Sequence, residues 1–413
     1  MILLESSLLL PMDSTPIEQG GILIENNVIF DVGFARDLEK LYSKKIKQIV
    51  CLNDMVLMPG FVNAHSHLEL SCLRGFRYPG TFTGWIQKLV EAKSNMTAVE
   101  YEKGILDGID DMLRSGTTCI GDHVSFNTDL VTLLNSPFRG YLFVEVLGVF
   151  KGIAQETHGF AKEFEKMFKE HQTLLKVSAT PHSVHAVHPE ILKEVFDEDR
   201  PVSSIHLAES ADEDKYFKQQ QGPLYEFILE KGEIPEQDIT IRNSAIDYLE
   251  DKGYLSEKVL AVHCNYVDEA DINFLAERKA SVVHCPSSHE YFHHRKFDFD
   301  AFRAKKVNIA LGTDSLASST SLSMLDQIRI GQQECPAIPA SKWLRMATLH
   351  GAHALKMGEV IGSLTPGKKA DMIGFKLSSD VLKSSEAAME AILKSTQADF
   401  VMIDGKVQIS PQS

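Results

Sequence analysis

Two histidines stand one residue apart in Pro59-Gly60-Phe61-Val62-Asn63-Ala64-His65-Ser66-His67, at the end of an apolar run. Strand side chains alternate between faces, so His65 and His67 point the same way and both imidazoles can reach one ion. Three later segments share this form. Val202 to Leu207 carries His206 at its end, with Glu209 three residues further on; Val259 to His263 ends on a histidine; and Val307 to Asp314 ends on a carboxylate. Singly, each histidine fits an ordinary packed or surface side chain. Brought to one place, they form a donor set of three or four imidazoles and one carboxylate. That set suits Zn²⁺ or Fe²⁺ and is too rich in nitrogen for Mg²⁺ or Ca²⁺.

Such a gathering needs elements whose ends converge. Short Val/Ile/Leu-rich runs at 56–62, 118–122, 141–147, 175–180, 202–207, 259–264, 280–285 and 307–312 read as strands buried on both faces. Helical patterns at 97–115, 188–197, 268–278 and 342–357 lie between them. Eight strands alternating with helices predict an α/β protein with a (β/α)₈ barrel, whose C-terminal strand ends meet at one mouth. An open doubly wound sheet gives the same alternation; the barrel is favoured on the pattern of strands and helices. The chain ends differ in texture. Ile22-Leu23-Ile24 and Val28 to Val32 flank a hairpin-like break at Glu25-Asn26-Asn27, and 371–375, 400–403 and 407–409 are similar short runs. They predict one small composite β domain.

Composition narrows the function. A chain of 413 residues with 44% hydrophobic side chains is enzyme-sized and globular. A net charge of −15 disfavours nonspecific nucleic-acid binding, and Lys44-Lys45-Ile46-Lys47 reads as a solvated patch. Six cysteines without a CxxC pair fit a reducing compartment. The first residues lack a basic n-region, and no apolar run reaches the ~18 residues of a membrane helix. A cytoplasmic protein is expected, with a small-molecule substrate, no nucleic-acid or membrane partner, and homo-oligomerisation left open.

PGFVNAHSH, HLAES, HCNYV, HCPSS, LGTDSLAS and IGSLTPGKKADMI, in this order, resemble the amidohydrolase superfamily, within it the branch of cytosine deaminases, triazine hydrolases and adenosylhomocysteine deaminases. The resemblance runs to about residue 376. It implies a (β/α)₈ barrel over 56–362, a β-sandwich built from 1–55 and 363–413, and one catalytic divalent metal, Zn²⁺ first and Fe²⁺ second. Carried over, the family pattern makes His65, His67, His206 and Asp314 the ligands. Asp314 and His263 would act on the metal's water, and Glu209 would carry a proton to a ring nitrogen. His182 matches a substrate-contacting histidine; His185 stands where relatives more often have an aromatic, and Trp85 joins the substrate contacts. His284 shapes the pocket floor in relatives. His289, Tyr291, Phe292, His293 and His294 fit either a pocket wall or a surface loop. His123, His158, His171, His188, His350 and His353 read as packing or surface residues. No lysine suggests a carbamylated bridge, so one metal is expected. The HxE…PCxxC signature of the unrelated base-flipping deaminases is absent.

The implied reaction is hydrolytic deamination of an aminated heterocycle. His67-Leu68-Glu69-Leu70-Ser71, Phe82 to Ile86, and His206 to Ser210 with Gly222-Pro223 resemble aminodeoxyfutalosine deaminases of the menaquinone route. An adenine-bearing nucleoside is thus the expected substrate, aminodeoxyfutalosine first and S-adenosylhomocysteine or methylthioadenosine second. Chlorotriazine hydrolysis and a catalytically inactive metal-binding relative are the alternatives.

Overall fold

The computed structural model describes residues 1–125, 130–169, 173–231 and 241–411; His171 lies outside the described residues. From the N-terminal side come β1 (Ile2–Leu9), β2 (Ile17–Glu25), β3 (Val28–Phe34) and β4 (Gln48–Pro59). The eight central strands are β5 (Phe61–Ser66), β6 (Thr117–Val124), β7 (Arg139–Val146), β8 (Leu175–Pro181), β9 (Ser203–Leu207), β10 (Val259–His263), β11 (Ser281–His284) and β12 (Asn308–Leu311). β13 (Met372–Lys376), β14 (Phe400–Ile403) and β15 (Lys406–Ile409) close the chain.

The expected composite β domain takes the form of one seven-stranded sheet, ordered β15-β14-β13-β4-β1-β2-β3. Both chain ends meet where Met372 to Lys376 pair antiparallel with Pro59 to Met55. Period-two alternation lets this sheet serve two cores. Met55 and Leu57 pack with Leu4, Leu9 and Ile22 on one face, while Val56 and Met58 turn to the barrel's own core. Asn26 adopts φ +58°, which lets the β2–β3 turn close tightly.

β5 to β8 and β9 to β12 form two parallel four-stranded sheets. Single bridges at the C-terminal ends join them into a barrel: Ser183 pairs with His206 on one seam, and Ser66 with Asp314 on the other. Among the described residues, no helix is long and apolar enough to cross a membrane. Helices span Ala98–Arg114, behind a Thr97/Glu100 capping box, Pro189–Asp197, and Glu269–Glu277 behind Asp268. The expected helix at 342–357 runs from Ala340 to Ala354 through a π-helical turn at Met346–His350.

The expected strand at 56–62 is two strands that part at Gly60, where a Cβ would lie 2.0 Å from the Thr118 hydroxyl. Residues up to Pro59 pair in the outer sheet, and Phe61 onward pair with β6.

A buried ion cluster fastens sheet to barrel. Arg139 at the start of β7 donates to Asp371 at 2.7 and 3.2 Å and to Asp404 at 2.8 Å. Asp371 is only 3% exposed. Arg139→Met leaves that carboxylate buried without its cation, so a loss of roughly 3 kcal/mol in unfolding free energy is expected. Urea denaturation checks this; an unchanged midpoint would show that the cluster adds nothing.

Candidate active site

The barrel mouth brings the candidate ligands together. His65 lies on β5 and His67 just past its end, His206 lies on β9, His263 ends β10, and Asp314 follows β12. His263 and Asp314 have φ of +73° and +56°, a region that non-glycine residues rarely occupy and that clusters at functional sites. Gly312 makes the closeness of β12 and β5 feasible, since a Cβ there would sit 2.7 Å from the His65 carbonyl oxygen.

The ring nitrogens converge. His67 Nε2 is 3.4 Å from His206 Nε2, and Asp314 Oδ1 is 3.8 Å from His65 Nε2 and 3.9 Å from His67 Nε2. His206 Nδ1 donates to the His182 carbonyl at 2.9 Å, which leaves the Nε2 lone pair facing inward. Both nitrogens of the fully buried His65, and Nε2 of His263, have no hydrogen-bond partner. Buried polar atoms are normally satisfied. Ligand atoms of His65, His67 and Asp314 lie within 4.8 Å of one another, as do those of Glu209, His263 and Asp314. Orphaned nitrogens beside a carboxylate fit a divalent ion of the zinc or iron kind.

The charge states suit that role. Burial, opposed by Glu145, holds the His67 imidazole down to about 4. Burial likewise holds His206 and His263 well below the ordinary histidine range. All three are neutral near pH 7, the form in which an imidazole can bind a metal. Burial alone would raise Asp314, but the imidazoles of His65, His263 and His67 packed around it hold it well below the carboxylate range. Its Oδ2 accepts from Ser288 at 2.5 Å and Ser318 at 2.9 Å, and its Oδ1 from the Ser315 amide at 2.8 Å.

Glu209 sits differently. Its Oε1 is 3.5 Å from His263 Nε2. Burial first, then Asp314 and Glu213, push its pKa well above the ordinary value, which favours the neutral carboxyl. The loop carrying it is clamped by Glu213, whose two oxygens accept from the Ala208 and Glu209 amides at 3.0 and 2.7 Å.

A groove of about 840 Å³ opens beside this loop, lined by 77–82, Ser210 to Asp212, Tyr266, Ser287, Glu290 to His294 and Thr320. Tyr291, Phe292, His293 and His294 thus form a pocket wall. Trp85 lies behind that wall, its ring 5.0 Å from Phe292 and 6.1 Å from Phe82. His182 lies against His206 at 4.4 Å between rings, its Nδ1 donating to Glu145 at 2.7 Å. His185 lies within 3.9 Å of Glu213 and against Tyr216.

Four residues near the ligands escape a reading of strand ends alone. His123, read as packing, lies 4.6 Å from His65 between ring centres, with both nitrogens satisfied by Glu145 and Ser204. Glu145 joins His123 to His182. Ser288 and Ser318 hold Asp314; their one sequence signal is their place in the serine-rich HCPSS and TDSLAS runs. His158, His188 and His350 lie elsewhere, pairing with Glu198 at 3.3 Å, accepting from the Glu190 amide at 3.3 Å and contacting the Ile309 carbonyl at 3.2 Å.

A barrel whose strand ends gather four histidines and an aspartate at one mouth defines the class. Residues 56–408 match the amidohydrolase family, and the chain belongs to it. It is 28% identical to a 5-methylthioadenosine/S-adenosylhomocysteine deaminase of Caldanaerobacter subterraneus subsp. tengcongensis, an alignment covering 98% of this chain and 92% of that one. Its structure is similar to a Xanthomonas campestris adenosine deaminase with bound zinc (TM-score 0.83, 25% identity, 99% of this chain and 93% of that one). The Helicobacter pylori aminofutalosine deaminase in complex with methylthio-coformycin shares the fold (TM-score 0.86, 22% identity, 99% and 100% covered).

Proposed function

We propose that this hydrolytic deaminase of the amidohydrolase family removes the exocyclic amine of an adenine-bearing nucleoside, aminodeoxyfutalosine first and methylthioadenosine or S-adenosylhomocysteine second. The observation that carries the reading is Glu209: a largely enclosed carboxyl whose surroundings favour its neutral form, set 3.5 Å from His263 and beside an open groove. The names of the Caldanaerobacter and Xanthomonas relatives support the adenine nucleoside.

His65, His67, His206 and Asp314 would hold one divalent ion, zinc in first place and iron in second. Such an ion supplies Lewis acidity that makes water nucleophilic near pH 7. Asp314 and His263 orient the attacking water, and Asp314 accepts its proton. Glu209 gives its proton to a ring nitrogen, so the purine can accept the electrons of the incoming oxygen. A second proton transfer to the amine releases ammonia. His182, oriented by Glu145, Trp85 and His185 complete the reading as substrate contacts. The division into 1–55 with 363–413 and 56–362, and a cytoplasmic location, belong to it too; the six free cysteines support a reducing compartment.

The test is ammonia release by zinc- and iron-loaded protein from adenosine, methylthioadenosine, S-adenosylhomocysteine and aminodeoxyfutalosine. Turnover with at least one 5′-modified nucleoside is expected. Silence across the whole panel with metal-replete protein would refute the reading.

A further inference from the structure

The Glu209 backbone is gripped from two sides. Its amide is held by Glu213, and its carbonyl accepts from Asn265 Nδ2 at 3.0 Å. Ala208 before it has φ +50°, and the Ala208 carbonyl accepts from the Tyr266 amide at 2.8 Å. A turn this constrained fixes where the Glu209 side chain leaves the chain. Asn265 is itself held. With its amide group given to Glu209, its Oδ1 faces His289 Nδ1 at 3.2 Å. An oxygen there requires the hydrogen on Nδ1, so the His289 ring is fixed in one donor role. Asn265 and His289 are 3% and 5% exposed, so water does not compete for these bonds.

We propose that Asn265 and His289 are positioning residues for Glu209: His289 orients the Asn265 amide, and the amide sets the loop that aims the carboxyl at substrate. The inference rests on Glu209 as the proton carrier. His289 belongs to the helix Pro286–Phe292. The neighbouring Ser288 donates to Asp314, and Tyr291 and Phe292 line the groove. One short helix therefore touches the groove and reaches both catalytic carboxylates. A carboxyl displaced by a fraction of an ångström still permits binding but transfers its proton slowly.

His289→Phe keeps a ring and removes the donor. In metal-replete protein it is expected to lower kcat on the order of 10-fold, with KM and bound metal unchanged. His289→Asn, whose amide nitrogen falls near the place of Nδ1, is expected to restore most of the rate. Asn265→Ala, which cuts the bridge from the other side, is expected to match His289→Phe and serves if that variant folds poorly. In a Glu209→Gln background, His289→Phe should cost nothing more, because residues that act through one group are not additive. Wild-type kcat in both His289→Phe and Asn265→Ala, or the same loss with and without Glu209, would overturn the proposal. A Glu209→Gln protein that turns over at the wild-type rate would overturn the proton-carrier reading and this proposal with it. A slow Glu209→Gln beside fast His289→Phe and Asn265→Ala proteins would overturn this proposal alone.

Discussion

Replacing Asp314 by alanine is expected to abolish turnover and to empty the site of metal in one step. Its Oδ1 lies within 3.9 Å of two imidazole nitrogens, and its carboxylate is the negative charge of the donor set. Ser288, Ser318 and the Ser315 amide fix its orientation among the imidazoles. Loss of an outer partner commonly costs 10–100-fold in metal affinity, and loss of a ligand should exceed about 100-fold. His65→Ala should behave alike, because both its nitrogens are buried without another partner. Elemental analysis after dialysis, beside ammonia release, gives the two readings. Full metal occupancy in His65→Ala would rule out the ligand assignment. His263→Ala is expected to lose rate more than metal, since the proposed mechanism has it act on the water.

Glu209→Gln is the second large effect, and it separates chemistry from metal binding. Glutamine keeps the size and hydrogen-bonding capacity of the side chain but cannot give up a proton. Metal content should stay near wild type, since Glu209 is outside the ligand set. Turnover should fall by on the order of 10²-fold or more, the usual scale of general acid–base catalysis. The aromatic ring of a purine resists attack until a ring nitrogen is protonated, so a deaminase depends on this group. A glutamate that merely lined the rim would show almost no change. The sign of the pKa shift agrees: burial, Asp314 and Glu213 favour the neutral carboxyl, the form that an acid needs at the start of the cycle.

The convergence of the candidate ligands was legible because strand geometry writes itself into spacing. His65 and His67 alternate around Ser66, and His206, His263 and Asp314 each close an apolar run. The joining of the chain ends was legible from their shared strand texture, confirmed by the pairing of β13 with β4. What was hidden depends on distance across the barrel. His123 and Glu145 look like ordinary polar residues of buried strands until the strands come into register. Gly60 divides an apolar run that shows no break, for want of room beside Thr118. His289 and Asn265 meet 24 positions apart in sequence, through a helix and a strand end that no local pattern couples.

The most direct measurement of the central claim is mass spectrometry of the products formed from a 5′-modified adenine nucleoside in heavy-oxygen water. Hydrolytic deamination predicts one ammonia per turnover and a 6-oxo purine nucleoside carrying one solvent oxygen on its base, the ribose intact. Free adenine, a product without solvent oxygen, or unchanged nucleoside in the presence of metal-loaded protein would contradict it.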